Sequence, residues 1–516
     1  MWRERDASRR ASRAGTLMLT QTVAAFFFLT LPWLNPFSPG PMPAVMPWLV
    51  TLGSGAFVGL WATRVRLAEV AATAWLAAAL LSAVLGVLQY FGATAMFGPW
   101  VNSTAMGEAY ANLRQRNQFA TLTNIGLVAL LWWAAQWQPR DRRHVSVEVG
   151  LLVAAVVLAL GNAASGSRTG LMQLVLLMAM VWMWGAWRHA GVRRVLGAAA
   201  LAYLVAAWVL PGLAGLDPKA TGILARLNES GIGCSSRVTL WRNVLHLIAQ
   251  KPWLGWGWGE LDYAHFVTLY PGPRFCDILD NAHNLPLHLA VELGVPLAVG
   301  VCGTVLWLTL RARPWRETDA TRQLAWAVIG LILLHSLLEY PLWYGQFQLA
   351  VGLCVYLLWA TPQGSANPMA PMPPPDGHSR RSPALIIRRA TAVFVMAVTA
   401  YVAWDYLRIS QIYLIPKMRS EAYRDHTLEK VRNSWLFQNQ VRFAELTTTP
   451  LTTHNAAKIR DLATAVLHFS PEPRVIEKLI KSNEMLGHDD EALYYRERYQ
   501  AAFPESHARW AGKKMP

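Results

Sequence analysis

The chain has 516 residues, 54% of them hydrophobic and 15% charged, and its 47 basic against 31 acidic side chains leave a net charge of +16. So low a charged fraction, against ~25% in an average soluble domain, excludes an ordinary soluble globular protein. The basic residues sit in short loops between long apolar stretches, where they read as topology signals and not as a nucleic-acid surface.

Apolar stretches of about 20 residues are the length of a helix that crosses a ~30 Å hydrocarbon core. Eleven are predicted, near 15–35, 43–63, 69–92, 118–138, 146–163, 169–187, 194–211, 284–310, 322–339, 345–361 and 389–408. The alternating ten-residue segments of a membrane barrel are missing from the sequence. Arg3, Arg5, Arg9, Arg10 and Arg13 precede the first span. Alternate loops then carry Arg64 and Arg66; Arg140, Arg142 and Arg143; Arg188, Arg193 and Arg194; Arg311, Arg313 and Arg316; and Arg380 and Arg381. The opposite short loops hold only Arg114, Arg116 and Arg168. This bias predicts a cytoplasmic N-terminus and a C-terminal tail on the far side. The pair Arg9-Arg10 is also compatible with a twin-arginine signal, although no small-residue cleavage site follows it.

Three segments break the short-loop pattern. Residues 93–117 form a polar outer loop, and residues 212–283 form an outer loop too long to be a mere connection. Residues 362–386, with PMAPMPPPDG, read as a disordered cytoplasmic linker. The expected organisation is a membrane domain over 1–408 and a helical C-terminal region over 409–516. In the latter, Val475, Leu479, Ile480 and Met485 recur at helical spacing, and 471–504 resembles a single tetratricopeptide-like hairpin. Cys302 and Cys354 fall within spans as packing residues, whereas Cys234 and Cys276 share the large outer loop. An oxidising compartment permits a disulfide between them.

Polar side chains at outer span ends gather in five places. They are ANLRQRNQFATL (111–122), with Asn117 and Gln118; ASGSRTG (164–170), with Arg168; 234–260, with Arg237 and Arg242 on an amphipathic helix before a Gly/Trp-rich turn; DNAHNLPLHLAVELGVP (280–296), with Asp280 and His283; and LLEYPLWYGQF (337–347), with Glu339, Tyr340 and Tyr344. Each has a plainer reading. Arg168 suits an interfacial snorkelling residue, His283 a helix cap, and the helix at 234–260 a segment lying on the membrane. The outside loops show no tight Asp-x-Asp pair for a hard cation, and the sequence has no Cys/His metal spacing, no glycine-rich phosphate loop and no Gly-x-Ser-x-Gly. No metal or cofactor is therefore expected. Arginines facing a cavity suit a phosphate or pyrophosphate, which they hold through bidentate hydrogen bonds. A histidine of near-neutral pKa suits a base acting on a hydroxyl.

The strings S-R-T-G at 167–170, S-R-V-T-L-W-R with K-P-W-L-G-W-G at 236–257, and A-H-N-L with E-L-G-V-P at 282–296 resemble the O-antigen ligases and polymerases. The added N-L-R-Q-R-N-Q-F-A-T at 112–121 and the helical tail resemble the bacterial protein O-oligosaccharyltransferases of that superfamily. The resemblance implies an all-α, GT-C-like integral membrane glycosyltransferase of the inner membrane, with its site and tail in the periplasm. It implies an undecaprenyl-pyrophosphate-linked glycan as donor, transferred en bloc and without a metal to Ser or Thr of an exported, pilin-like acceptor. It also implies catalytic roles for His283, Arg168 and Arg237. Asn117, Gln118, Arg242, Tyr340, Tyr344, Glu339 and Asp280 would bind substrate, with Asp280 also placed to orient His283. An O-antigen ligase acting on lipid A core and an O-antigen polymerase would use nearly the same residues. A transporter would instead carry polar residues deep within its spans.

Overall fold

A computed structural model describes residues 2–38, 40–61, 66–137, 144–228, 233–361 and 383–512. Residues 362–382 of the expected linker, with Arg380 and Arg381, lie outside this set, as do Arg64, Arg140, Arg142 and Arg143. The described residues are helical or irregular, with no strand among them.

The first seven helices are α1 (Trp2–Leu34), α2 (Val45–Trp61), α3 (Leu67–Tyr90), α4 (Arg116–Gln136), α5 (His144–Ala164), α6 (Arg168–Met183) and α7 (Ala190–Leu213). Three shorter helices follow within the long loop: α8 (Gly222–Asn228), α9 (Arg237–Gln250) and α10 (Leu261–Val267). After them come α11 (Leu285–Leu293), α12 (Val295–Ala312), α13 (Ala320–Ser336), α14 (Gly345–Ala360) and α15 (Pro383–Ser410). The tail adds α16 (Thr427–Val431), α17 (Gln438–Thr448), α18 (Ala456–Leu467), α19 (Pro473–Leu486), α20 (Asp489–Ala502) and α21 (Pro504–Gly512).

Among the described residues, seven helices are long and apolar enough to cross a membrane: Gly15–Leu34, Leu67–Tyr90, Arg116–Gln136, Val145–Ala164, Ala190–Leu213, Val295–Arg316 and Ile386–Tyr413. The apolar helices Val45–Leu60, Arg168–Met183 and Gly345–Ala360 are shorter. The chain is a multi-pass membrane protein. At the core, α4 packs against α3, α5, α6 and α13. Phe119, Leu122, Ile125 and Leu130 of α4 are fully buried, so this helix is shielded from lipid on nearly every side. Close approach depends on small residues: a Cβ on Gly126 would lie 2.3 Å from Ala79 Cβ.

The expected span at 284–310 is broken. Gly294 separates α11 from α12 with φ +89°, a conformation other residues rarely adopt. A Cβ there would meet the carbonyl oxygen of Trp253 at 2.1 Å. The membrane-length helix therefore begins at Val295, and α11 belongs to the structure of the loop. The amphipathic helix expected within 234–260 is α9. Its Leu240, Val244 and Leu247 are buried against α11 and the segment around Phe275 and Leu279, so that apolar face packs on protein and not on a membrane surface. Cys234 and Cys276 are disulfide-bonded, with Cα atoms 5.2 Å apart.

In the tail, Val475, Ile476, Leu479 and Ile480 of α19 are buried, while Met485 is exposed. Helices α19 and α20 form a hairpin turned at Gly487, which caps α19 in the left-handed conformation. The tail grips α10. Phe266 joins the core of α18, α19 and α20, His468 bonds Glu260 at 2.7 Å, and Arg498 Nε donates to Val267 O at 2.8 Å.

Candidate active site

The buried carboxylate of Glu339, 5% exposed, is the focus of the outer polar clusters. It follows the C-terminus of α13, where its amide donates to His335 O at 2.8 Å. Oε2 accepts from His283 Nδ1 at 2.6 Å and from Gln115 Nε2 at 3.3 Å. Oε1 accepts from Asn117 Nδ2 at 2.9 Å and pairs with Arg237 Nη2. Burial alone would raise this carboxyl; the His283 hydrogen bond and the Arg237 charge outweigh it and hold the group below its usual range. Glu339 is therefore an anion that gathers one imidazole and one guanidinium.

Local sequence explains how each partner is held. In the loop before α4, the buried amide of Gln89 accepts from the Tyr110 and Ala111 amides and donates to Asn102 O and Ala111 O. Asn112 Nδ2 donates to Leu34 O and Trp100 O. These bonds replace secondary structure for a buried irregular backbone and deliver Gln115 and Asn117 to the start of α4. Asn117 Oδ1 in turn accepts from Ser167 Oγ at 2.6 Å. Ser167 caps α6 by accepting from Gly170 N. Arg168 is the first residue of that helix and is exposed, so two hydrogen bonds join its neighbour to Glu339. Ser236 caps α9 in the same way and sets Arg237 at its first turn.

His283 itself has φ +49°, a left-handed conformation that persists in a non-glycine residue only when its surroundings impose it. They do so here. The His283 amide donates to Asn281 Oδ1 at 3.0 Å, Trp241 Nε1 donates to Ala282 O at 3.0 Å, and Asn284 Nδ2 donates to Leu337 O at 3.0 Å. Asn284 also caps α11. The Tyr340 ring stands edge-on to the imidazole at 5.0 Å, and Tyr344 stacks against Tyr340 at 6.0 Å. Burial raises both phenols, which remain neutral donors. The Gln118 side chain adjoins the Tyr344 hydroxyl. Among the described residues, Gln118 Nε2 and Gln346 Oε1 are buried without a hydrogen-bond partner.

The structure thus brings together His283, Arg237, Asn117, Glu339 and Tyr340, with Tyr344 and Gln118 beside them and Arg168 at the rim. Asp280 is exposed, and its charge reaches His283 without a hydrogen bond between them. Glu339 holds the orienting position considered for Asp280. Arg242 is exposed, five residues beyond Arg237 on α9 and so about 140° around the helix. It makes no hydrogen bond or ion pair to the cluster among the described residues. Gln115 and Ser167 complete the cluster and lie within the two polar strings singled out in the sequence. Beneath them a buried polar row runs inward, through Thr121 to His335 Nδ1 (2.9 Å) and Gln173, and through Asn124 to Asn162. The polar cluster therefore extends further along α4 than span ends alone suggested.

Three family models match stretches of this chain: protein glycosylation ligase over 109–134, O-antigen ligase over 153–302, and the C-terminal part of a virulence factor membrane-bound polymerase over 323–515. Each stretch supplies part of the Glu339 cluster: Gln115 and Asn117 from the first, Ser167, Arg237 and His283 from the second, Glu339 from the third. Fold, site and matches together define a membrane protein homologous to the O-antigen ligases and protein glycosylation ligases. More particularly, the chain is 24% identical over 420 residues to a general O-oligosaccharyltransferase of Acinetobacter baylyi, covering 75% of this chain and 64% of that protein. It is 25% identical over 261 residues to a ComP-specific O-oligosaccharyltransferase of the same species, covering 50% and 45%. To an O-antigen ligase of Pseudomonas aeruginosa it is 28% identical over 270 residues, covering 50% and 55%. The chain spans less than two thirds of the length of each of these relatives.

Proposed function

We propose that the protein is a glycosyltransferase that moves a glycan en bloc from a polyprenyl-pyrophosphate donor, undecaprenyl in a bacterial envelope, to Ser or Thr of an exported, pilin-like protein. On this reading the helices make eleven crossings of the inner membrane, with the N-terminus cytoplasmic. The Glu339 cluster and the tail over 409–516 face the periplasm, and the tail serves as a tetratricopeptide-like unit beside the site. The observation that carries the reading is the convergence of His283 and Arg237 on one buried carboxylate.

The chemistry follows from that arrangement. Ionised Glu339 accepts the Nδ1 proton of His283, which leaves Nε2 with a free lone pair. The acceptor hydroxyl gives its proton to Nε2 as its oxygen bonds the anomeric carbon. The bond from that carbon to the phosphate oxygen breaks, and its electron pair leaves with the pyrophosphate. Arg237, half-exposed beyond its pair with Glu339, and Arg168 at the rim meet the developing charge. Losing one such donor costs about 10²–10³ in rate, and losing the base about 10²–10⁴. Asn117, Gln118, Tyr340 and Tyr344 offer neutral hydrogen bonds to sugar hydroxyls.

The test is glycan transfer in cells carrying His283→Ala or Arg168→Ala, with each variant's membrane level measured. Loss of acceptor glycosylation at normal protein level is expected; full transfer by either variant removes that residue from the mechanism. An O-antigen ligase reading is favoured by one observation, the match over 153–302 that contains Arg237 and His283. Intact mass of exported proteins, set beside gel profiles of lipopolysaccharide with and without the gene, separates the two acceptors.

A further inference from the structure

We infer that the hairpin at 251–258, Lys-Pro-Trp-Leu-Gly-Trp-Gly-Trp, is embedded in the boundary of the lipid bilayer at the Val295 end of α12. Its partner is the phospholipid itself. Trp253 is 76% exposed and Leu254 85%, and Trp258 is also largely open. Such apolar side chains at one tip form the kind of exposed patch that marks a contact surface.

Three observations choose the occupant. First, the hairpin is fixed to the start of a membrane-length helix. Val295 N donates to Pro252 O at 2.8 Å, Trp256 N to Val291 O at 2.9 Å, and Gly257 N to Glu292 O at 2.9 Å. A Cβ on Gly255 would lie 2.3 Å from Glu292 O, so the pairing tolerates no side chain there. Second, α12 is apolar apart from Thr304, Thr309 and Arg311 and contributes a single buried residue, Ala298; Val295, Leu297, Val299 and Leu306 all face outward. The surface that α12 presents to lipid therefore continues without a break into Trp253 and Leu254. Third, the hairpin has the composition of an interfacial element, with tryptophans at the boundary and Lys251 folded over the Trp256 ring at 4.0 Å.

Through α11 the same pairing fixes His283, which lies two residues before that helix. The anchored hairpin thus holds the Glu339 cluster at one height above the bilayer. The inference rests on the multi-pass fold and not on the proposed reaction.

The experiment uses full-length protein in phospholipid nanodiscs. A nitroxide is placed at Leu254→Cys in a Cys302→Ala/Cys354→Ala background, with Leu306→Cys as the lipid reference and Asp490→Cys as the aqueous one. Relaxation by oxygen at position 254 above that at 490 and below that at 306, with relaxation by an aqueous nickel chelate well below that at 490, is expected. Nickel accessibility at 254 equal to that at 490 overturns the proposal. Unmodified protein gives an independent measurement, photo-crosslinking by phospholipids that carry a diazirine in the acyl chain near the headgroup. Adducts on Trp253 or Leu254 are expected; adducts on α12 with none on 251–258 overturn it, as does a crosslink of the hairpin to a second copy of the chain in place of lipid.

Discussion

Replacing Glu339 by glutamine keeps the side chain's size and removes its charge. Four donors converge on the two carboxylate oxygens, from Gln115, Asn117, Arg237 and His283. An amide offers one oxygen and turns two N–H groups toward the others, so about half of these donors lose their acceptor. Breaking a fully buried ion pair costs about 3–5 kcal/mol, and an exposed pair is worth about 0–1 kcal/mol. The Arg237 side chain is 38% exposed and that of Glu339 6%, which places the stability cost between those limits, at about 1–2 kcal/mol. The functional loss is larger. Without the acceptor at Nδ1, the imidazole loses both its tautomer and its aim, and transfer falls by about 10²–10⁴. Because Glu339 acts in part through His283, the double variant Glu339→Gln/His283→Ala should lose less than the product of the two single losses. The assay is glycan transfer in isolated membranes, read as intact mass of the acceptor at matched enzyme level. Independent, multiplying losses in the double variant, or full transfer by Glu339→Gln, would refute the carboxylate–imidazole coupling.

Four further outcomes are expected. Ser167→Ala removes both the cap of α6 and the donor to Asn117; a loss of about 1 kcal/mol in thermal stability should accompany weaker transfer. Cys276→Ser opens a bond between residues 42 apart in sequence, which the chain-entropy relation values at about 4 kcal/mol; the melting of detergent-solubilised protein with and without reductant measures it. Gly294→Ala places a Cβ against Trp253 O at a left-handed position, and limited proteolysis within 251–258 should accelerate. Asp262, on α10 beneath the tail, is pushed up to about 8 by burial. Its folded value lies above the ordinary one, so its contribution is whole below pH ~4 and is lost as pH rises through about 8. Asp262→Asn should flatten that decline between pH ~4 and ~8 in a melting profile.

Most of the seven membrane-length helices were legible because each is a composition signal contained in one stretch of chain. The break at Gly294 has a local signal in Gly294 and Pro296, but the close approach of the Trp253 carbonyl, forty-one residues away in sequence, has none. The polar strings that hold the site were equally legible, as arginine, histidine and amides at the ends of apolar runs. The role of Glu339 was hidden for a physical reason. Its donors are 56, 102, 222 and 224 residues distant, and no local pattern marks a carboxylate as their common acceptor. Asp280 lies three residues from His283 and is the nearer candidate in sequence, yet solvent reaches it. Gln115 and Ser167 carried a weak signal, polar residues beside helix starts, which does not separate a cap from a site residue. His335, Thr121 and Gln173 show that buried polar side chains inside the helices can serve the wall of a site by satisfying one another.

The grip of the tail on α10 bears on attempts to exchange the tail for another. Residues 260–267 supply Glu260, Phe266 and the Val267 carbonyl to helices more than 170 residues further along the chain. A graft that exchanged 409–516 alone would set foreign side chains against that short helix and strand the imidazole of His468 or its replacement. The transplantable unit is discontinuous, and a working chimera must carry α10 across with its tail.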